Sequence, residues 1–298
     1  MKKLLISAIP EGDLISEIIK LLENSENIEL EVHNPLKNPI LLKEIKKDIN
    51  DYDLIIVKGG SASSIKLLYI AKINNIPTIN QYDAVLLCKN KIILDSSLRQ
   101  IFQKYKNELN NFYLPNSWAH PNPLKNPNIF KKWASSRLPL VFKSHDMLNE
   151  KRRYNFLAKE PYEIDGFLVM YKDSLYNDLY IQEFIKCDGI DRKIYVVGDK
   201  IFGIERDNPI YIYLREKSEN IDIDNLERKP FQIDNEIRKL ANIISKELNL
   251  GIYGFDLLKS VDDDKYYLID LNDFPGLKGV QNKERIIVDY ILEYLNHI

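Results

Sequence analysis

The chain has 298 residues, of which 45% are hydrophobic and 29% charged, and its formal net charge is −2. At roughly 100–200 residues per domain, this length predicts two or three domains with a sizeable buried core. Nucleic-acid and membrane partners are not expected, because they usually need a clear basic excess or an apolar run of about 18 residues. The two cysteines, Cys88 and Cys187, form no CxxC pair and favour a reducing, cytoplasmic setting.

Residues 1–90 alternate between strand and helix signals. Apolar runs predict strands, and apolar residues at helical spacing predict helices between them. The predicted strands are Leu4–Ile9, Leu54–Val57 and one that starts at Pro77–Asn80, and the predicted helices are Asp13–Leu22 and Ile65–Ile73. Strands separated by helices are typical of a parallel sheet, so this segment is predicted to be an N-terminal α/β domain.

Residues 91–180 are predicted to form a smaller central domain. Asn107–Lys131 is rich in Asn and Pro, which predicts loop and linker. Leu138–Lys143 is a predicted strand. The charged segment Glu150–Lys159 is compatible with a helix.

Residues 181–298 are predicted to form a C-terminal domain with an antiparallel sheet, which makes this part α+β within an α/β chain. The predicted strands are Tyr180–Ile185, Lys193–Val197 and Lys200–Glu205, and the predicted helices are Asn235–Leu248 and Glu284–Leu295. Gly198 and Asp199 lie between two of these strands and predict a hairpin turn. A second hairpin, Gly251–Lys259 with Lys265–Leu271, precedes the last helix.

Two carboxylates are predicted to face each other in this second hairpin. If the hairpin is symmetric about Asp263, Asp256 lies opposite Asp270, with Cβ atoms about 4.5–5.5 Å apart. Asn272 lies two residues beyond Asp270 and points to the same face. Like charges placed this way destabilise a sheet, and a bound cation would remove that cost. Three oxygen ligands therefore predict a Mg²⁺ site shared with phosphates, the alternative being two solvated acids on an exposed strand.

Several segments resemble, in the correct order, those of the ATP-grasp enzymes. The matching segments are Lys89-Asn90-Lys91, Leu138–Lys143, Ile181–Ile185, Asp191–Gly198 and Asn272–Leu277. The resemblance implies an ATP-grasp fold, in which a central lid and a C-terminal domain hold ATP and two Mg²⁺ ions. It implies that Lys91 and Lys143 bind the nucleotide phosphates and that the segment after Tyr180 is the adenine hinge. The other residues it assigns to the nucleotide site are Gln182, Glu183, Phe184, Ile185 and Asp191.

Two branches of this superfamily compete. Ser144-His145-Asp146-Met147, Lys193 and Phe274 resemble motifs of the inositol tris/tetrakisphosphate kinases. Lys58 lies where those kinases place a lysine for a substrate phosphate. Gly189-Ile190-Asp191 instead resembles the ribosomal-protein glutamate ligases, which join a carboxylate to an amine. Both families place a glycine-containing loop after the lid lysine, whereas this chain has no glycine between Lys143 and Gly166, so different lid contacts are expected.

The kinase branch implies transfer of the ATP γ-phosphate to a hydroxyl of a phosphorylated polyol such as an inositol phosphate. The residues it assigns to catalysis are Arg206, His145 and Lys193, and those it assigns to the acceptor are Lys58, His145, Lys193, Gly276 and Lys278. The ligase branch uses the same nucleotide and metal residues to form an acyl phosphate. A third hypothesis is a nucleotide-binding regulatory module without turnover, against which the complete acid–acid–Asn set argues. The oligomeric state stays open.

Overall fold

The structure is a computed structural model that describes residues 1–10, 13–40, 49, 51–59, 61–144, 153–216, 222 and 225–298. These residues build one parallel sheet and two larger sheets, all packed with helices. Both cysteines are free and buried. No helix in the described part of the chain has both the length and the apolar character that crossing a bilayer needs.

The N-terminal sheet is parallel, as predicted. Its strands are β1 (Lys2–Ser7), β2 (Ile28–His33) and β3 (Leu54–Val57), in the order β2-β1-β3, with helices α1 (Asp13–Glu23) and α2 (Ala62–Ile73). Strand β2 was not predicted, although its apolar residues alternate with Glu29 and Glu31, which is a strand signal. The segment predicted to start a strand at Pro77–Asn80 forms an isolated parallel bridge between Ile55 and Thr78.

The four-stranded sheet, called here the lid sheet, has the order β5-β8-β6-β7. Its strands are β5 (Ser117–His120), β6 (Leu140–Lys143), β7 (Asn155–Ala158) and β8 (Leu179–Glu183), and its helices are α5 (Pro127–Ser135) and α6 (Pro161–Met170). All neighbouring strands are antiparallel. Phe130, Phe142 and Phe167 are fully buried between the sheet and its helices, so an aromatic cluster holds this small unit together.

Two predictions for the central region were wrong. The segment described as compatible with a helix, Glu150–Lys159, contains strand β7, because Asn155–Ala158 pairs with β6 and packs Phe156 and Ala158 in the aromatic cluster. Tertiary pairing outweighs the helical preference of the charged residues. The predicted loop Asn107–Lys131 contains β5 and the first turn of α5. This helix begins at Pro127, and proline is favoured in the first turn of a helix.

The six-stranded sheet, called here the core sheet, has the order β11-β10-β9-β12-β13-β4. Its strands are β4 (Phe112–Tyr113), β9 (Ile190–Val197), β10 (Lys200–Asp207), β11 (Lys229–Phe231), β12 (Ile252–Lys259) and β13 (Tyr266–Asp273). All its pairs are antiparallel except β13 with β4. The predicted turn at Gly198 is confirmed: Val197 pairs with Lys200, and Gly198 has a φ of +61°, which favours glycine.

The two faces of the core sheet pack against different partners. On one face, Ile194 and Val196 pack with helices α3 (Tyr82–Cys88), α4 (Lys91–Lys104) and α8 (Asn235–Leu248). On the other face, Tyr195 and Val197 pack with α9 (Lys283–His297) and the N-terminal sheet. Helix α7 (Pro209–Glu216) follows β10. Helix α4 starts at Lys91, inside the segment predicted to be the central domain, but it packs on the core sheet. The domain limits at residues 90 and 180 stay predictions.

Candidate active site

Asp256 and Asp270 are cross-strand partners in the core sheet, as the sequence predicted. The pairing depends on a bulge, because Leu257 pairs with Leu268 and Asp256 pairs with Asp270, which leaves Ile269 as the extra residue. The turn is therefore not symmetric about Asp263, and the bulge restores the register that the symmetry argument assumed. A bulge next to a functional site is common, since it re-aims the side chains beside it.

The two carboxylates lie on a face of the core sheet that is apolar at one end and charged at the other. Along β9, Val197 and Tyr195 are buried against α9, and Lys193 and Asp191 continue the same face by alternation. Lys193 is the register partner of Asp256. The strands thus bury one end of this face and present charged groups at the other end.

Each carboxylate of the pair has a lysine partner. The Lys193 ammonium lies 2.5 Å from Asp256 Oδ2. The Lys91 ammonium forms an ion pair with Asp270 Oδ1, lies 3.1 Å from the Leu271 carbonyl and is only 7% exposed. Two cations therefore offset the repulsion between the opposed carboxylates, which the sequence argument had left to a metal ion alone.

The charges of these pairs stabilise one another against burial. Burial opposes the ionised form of Asp270, but the ammonium groups of Lys91 and Lys143 outweigh it and lower its pKa to about 2. Burial likewise opposes the charge of Lys193, but the carboxylates of Asp256 and Asp191 outweigh it and raise the pKa of that lysine. Both groups are held charged at neutral pH, so the site presents alternating charges to a ligand.

The predicted metal ligands fit a hard cation. Asn272 donates from Nδ2 to Asp270 Oδ2 over 2.8 Å, which places its amide beside the carboxylate pair. Among the described residues, no group of three or more His, Cys, Asp or Glu side chains could hold a metal ion. The predicted set combines two carboxylates with one amide, which matches the way Mg²⁺ takes few protein ligands and shares the rest with phosphates. The donors present therefore suit Mg²⁺.

Lys91 owes its position to the start of helix α4. Asn90 caps this helix, its side chain accepting hydrogen bonds from the backbone N–H groups of Ile92 and Ile93. The cap fixes Lys91 at the first helical residue. From there its side chain reaches Asp270 and Asn272 on the core sheet. The segment Lys89-Asn90-Lys91, which resembles the ATP-grasp enzymes, therefore contains the cap and the first residue of α4.

Lys143 reaches the site from the opposite side. It ends strand β6 of the lid sheet, and its ammonium donates to the backbone carbonyl of Ile269, 2.9 Å away on the core sheet. Burial lowers the pKa of Lys143 to about 8, and the charge of Asp270 opposes that shift. The structure thus brings both predicted nucleotide lysines, Lys91 and Lys143, to the carboxylate pair.

The predicted hinge residues end strand β8. Gln182 is buried, and Glu183 accepts hydrogen bonds from the backbone N–H and the side-chain amide of Asn116, over 2.7 and 2.8 Å. The N–H of Phe184 donates to the Pro139 carbonyl, and Ile185 follows it. The segment therefore connects the lid sheet to the core sheet, as a hinge requires.

Asp191 and Arg206 form a second buried ion pair on the same face. Arg206 Nη2 lies 3.2 Å from Asp191 Oδ2, and Asn208 donates to Asp191 Oδ1 over 2.5 Å. Burial, reinforced by the charge of Asp256, raises the pKa of Asp191. Asp191 and Arg206 are register partners across β9 and β10, so they lie one step along the face from Lys193.

The predicted acceptor residues are partly gathered. Lys58, after β3, donates to the Phe274 carbonyl over 3.4 Å and so lies at the end of β13. Gly276 and Lys278 follow in the next loop, where a side chain at Gly276 would meet Lys278 Cγ at 4.0 Å. His145, predicted for both catalysis and acceptor binding, lies outside the described residues.

One ion pair was missed by the sequence argument. Lys89 and Asp273 approach to 2.5 Å, with side chains 10% and 2% exposed. Both residues lay inside motifs that had been singled out, beside Lys91 and Asn272, but no spacing rule joins positions so far apart in the chain. The pair links the start of α4 to β13, the strand that carries the predicted metal ligands Asp270 and Asn272.

Sequence comparisons point to one kinase family. The family model of the inositol 1,3,4-trisphosphate 5/6-kinase ATP-grasp domain matches residues 212–293. Inositol-tetrakisphosphate 1-kinase 1 of Oryza sativa subsp. indica is 28% identical over 142 residues, which are 40% of this chain and 39% of that protein. Inositol-tetrakisphosphate 1-kinase 4 of the same rice is 26% identical over 196 residues, 54% of this chain and 50% of that protein. The matches thus span half or less of these relatives.

Structural comparisons show the fold and include ligases. An ATP-grasp RimK domain protein of Sphaerobacter thermophilus superposes with a TM-score of 0.70 at 14% identity, covering 97% of this chain and 99% of that one. The D-alanine–D-alanine ligase of Bacillus anthracis gives 0.65 at 14% identity, covering 100% and 98%. The predicted ATP-grasp fold is confirmed. The chain therefore has an ATP-grasp fold and is similar, over residues 212–293, to the inositol 1,3,4-trisphosphate 5/6-kinase ATP-grasp domain.

Proposed function

We propose that this enzyme transfers the γ-phosphate of ATP to a hydroxyl of a small phosphorylated polyol, with an inositol phosphate as the favoured acceptor. The observation that carries the proposal is the group of cations beside the carboxylate pair. Lys193 and Arg206 lie on the same face of the core sheet as Asp256, and Lys58 reaches the strand end at Phe274. A phosphorylated ring needs several cations, since each phosphate carries about −1.5 to −2 charges near neutral pH.

The residues divide the work of such a transfer. Asp256, Asp270 and Asn272 would hold Mg²⁺, which neutralises phosphate charge when bound. Lys91 and Lys143 bind the nucleotide phosphates from opposite sides of the cleft. Phosphoryl transfer depends on positioning and charge neutralisation more than on covalent help from the protein.

The cations that we assign to the acceptor side of the site include two that already have carboxylate partners. Lys193 and Arg206 are held beside Asp256 and Asp191, so their charged ends are positioned before the acceptor binds. Arg206 offers a planar fork of donors that can bind a phosphate through two oxygens. We assign it to the transferring group, with Lys193, Lys58, His145, Gly276 and Lys278 at the acceptor.

A carboxylate–amine ligase is the second candidate. The structural neighbours named above include ligases, and the nucleotide and metal residues serve that reaction equally well. The sequence relatives named above are kinases, which favours phosphoryl transfer to a hydroxyl. A ligase acceptor needs one or two cations, whereas the proposed acceptor side draws on Lys58, Lys193 and Arg206.

Product analysis with ATP and Mg²⁺ separates the two reactions. The protein is incubated with a panel of inositol phosphates and, separately, with glutamate and other amino compounds. We expect ADP together with an acceptor that retains the phosphate, and little free phosphate. Stoichiometric release of ADP and inorganic phosphate that depends on an amino compound, with no phosphorylated polyol, would assign the ligase reaction instead.

Lys193→Ala provides a sharper version of the same test. It should raise the acceptor Michaelis constant much more than that for ATP, because Lys193 is assigned to the acceptor. Lys200→Ala, an exposed lysine at the start of the neighbouring strand β10, is the matched control. Acceptor binding should also weaken with salt, because exposed charges are screened over about 8–10 Å at physiological ionic strength.

A further inference from the structure

One face of the lid sheet carries the predicted nucleotide groups and one tyrosine between them. In the register of the lid sheet, Lys143 lies opposite Tyr180, and Ser117 lies opposite Gln182. Tyr180 and Gln182 are two residues apart on β8, so they point to the same face. Since Lys143 reaches the core sheet from this face, Tyr180 and Gln182 lie on the side that faces the cleft.

Tyr180 is the middle member of a buried hydrogen-bond chain. Its hydroxyl donates to Asp95 Oδ1 over 2.9 Å and receives a hydrogen bond from Gln182 Nε2 over 2.8 Å. Tyr180 and Gln182 are each 5% exposed. Burial, reinforced by the charge of Asp95, raises the pKa of Tyr180, so its hydroxyl stays protonated. The chain is thus closed to solvent over most of its length.

The far end of the chain is fixed on helix α4. Asp95 lies one turn after Lys91 on this helix, and it accepts from Arg99 Nε over 2.7 Å. Arg99 also donates to the Pro115 carbonyl and to Ser117 at the start of the lid sheet. The helix that presents Lys91 to the phosphates is therefore bonded to the strand that carries Gln182.

The direction of the hydrogen bonds follows from chemistry. An ionised carboxylate can only accept, so the Tyr180 O–H must donate to Asp95. The Tyr180 oxygen then accepts, and Gln182 must present its NH₂ group to it. This fixes which end of the carboxamide is used internally, and it leaves Gln182 Oε1 as the group available to a ligand donor.

We propose that Tyr180 is a positioning residue that fixes the Gln182 carboxamide with its oxygen free, and so selects adenine over guanine. Adenine carries an amino donor at position 6, whereas guanine carries a carbonyl acceptor there. An oxygen fixed in place can accept from the first and repels the second. The inference rests on the proposed nucleotide position at Gln182 and is independent of the acceptor.

The test is direct binding of MgATP and MgGTP by calorimetry, without any acceptor. Tyr180→Phe keeps the ring and removes the hydroxyl, with its hydrogen bonds to Asp95, Gln182 and Ser117, which frees the carboxamide to turn. We expect ATP affinity to fall about threefold to tenfold and the preference for ATP over GTP to fall about fivefold. Tyr154→Phe is the matched control, a buried tyrosine of the same lid that packs on Phe167, and it should keep the wild-type preference.

Asp95→Asn gives a second route that leaves the buried ring intact. An amide can donate as well as accept, so the direction of the chain is no longer fixed and the preference for ATP should again fall. An equal loss of ATP and GTP affinity in both variants, or an unchanged preference, would overturn the inference and leave a purely structural role. Failure of the wild-type protein to bind ATP would overturn it as well. If the protein prefers ATP to GTP as expected but forms no phosphorylated polyol, only the proposed kinase reaction is overturned.

Discussion

The core sheet and the lid sheet both contribute charged groups to the cleft, but they hold them differently. On the core sheet, Asp256 and Asp270 are each paired with a lysine. On the lid sheet, the ammonium of Lys143 donates to a backbone carbonyl, and burial lowers its pKa to about 8. The core sheet therefore pairs its charges within the protein, whereas the charged form of Lys143 is disfavoured by burial and has no carboxylate ion-pair partner among the described residues.

This difference assigns different roles to the two sheets. Paired charges on regular strands are preorganised, and such groups need little rearrangement when phosphate arrives. A lysine whose charge is disfavoured by burial gains most from an anionic ligand, since the ligand restores the favourable environment for the ammonium. We infer that the core sheet sets the geometry of the reaction, and that an anionic ligand stabilises the charged form of Lys143, which already contacts the core sheet.

The largest expected effect concerns catalysis on the core sheet. Asp270→Asn removes a proposed metal ligand and should lower kcat by about 10²–10³-fold, because electrostatic stabilisation of the transferring group is a leading catalytic term. Steady-state rates at saturating Mg²⁺ measure it. Asp263→Asn, in the exposed turn of the same hairpin, is the control and should keep wild-type activity. Near-normal turnover by Asp270→Asn would show that the metal site lies elsewhere.

The second prediction concerns the stability of the core sheet. Relief of two opposed carboxylates would stabilise the protein if they were unpaired, but Lys91 and Lys193 already neutralise them. Asp270→Asn leaves the buried Lys91 ammonium without its carboxylate, and should lower the free energy of unfolding by about 3 kcal/mol. Urea unfolding measures it. In Lys91→Met/Asp270→Asn the loss should be smaller than the sum of the single losses, since the two side chains are in contact.

An exposed ion pair provides the comparison. Arg285 and Asp289 form one on helix α9, with side chains 66% and 45% exposed. Asp289→Asn should change the free energy of unfolding by about 0.5 kcal/mol or less. A similar loss of unfolding free energy in Asp289→Asn and Asp270→Asn would mean that the buried ion pairs of the core sheet stabilise the protein no more than an exposed pair does.

The sequence predicted the core sheet more successfully than the lid. The opposed pair Asp256 and Asp270 was found, although the bulge at Ile269 that produces it leaves no signal in a single sequence. Strand β7 was assigned as a helix, because its pairing with β6 and its burial in the aromatic cluster outweigh local composition. Lys89–Asp273 and Tyr180–Asp95 could not be found, because they join residues 184 and 85 positions apart. Periodicity describes faces of elements and not the pairs formed between them.

The third prediction uses the lowered pKa of Lys143. In the free protein this lysine loses its proton as pH rises through about 8, and bound phosphates should raise its pKa again. ATP binding then takes up a proton above pH 8, so affinity should fall about tenfold per pH unit there and be flat below. Lys143→Arg should remove the dependence, because arginine stays charged. Calorimetry between pH 7 and pH 9.5 measures both, and equal slopes would contradict the assignment.

The smallest expected effect concerns Lys89 and Asp273, the pair that joins helix α4 to strand β13. Asp273 Oδ2 is buried and has no hydrogen-bond partner among the described residues, so only the other oxygen of this carboxylate is stabilised by a hydrogen bond. Asp273→Asn keeps an acceptor for Lys89 and loses only the charge of the bond. Because charge-assisted bonds exceed neutral ones by about 1 kcal/mol, the Michaelis constant for ATP should rise about threefold to fivefold, with kcat nearly unchanged. Lys89→Met should do more, since it leaves the buried carboxylate unpaired. Equal effects of the two variants would mean that the charge of the pair does not matter and that only its packing does. A loss of kcat without a change in the Michaelis constant would mean that Asp273 takes part in the catalytic step.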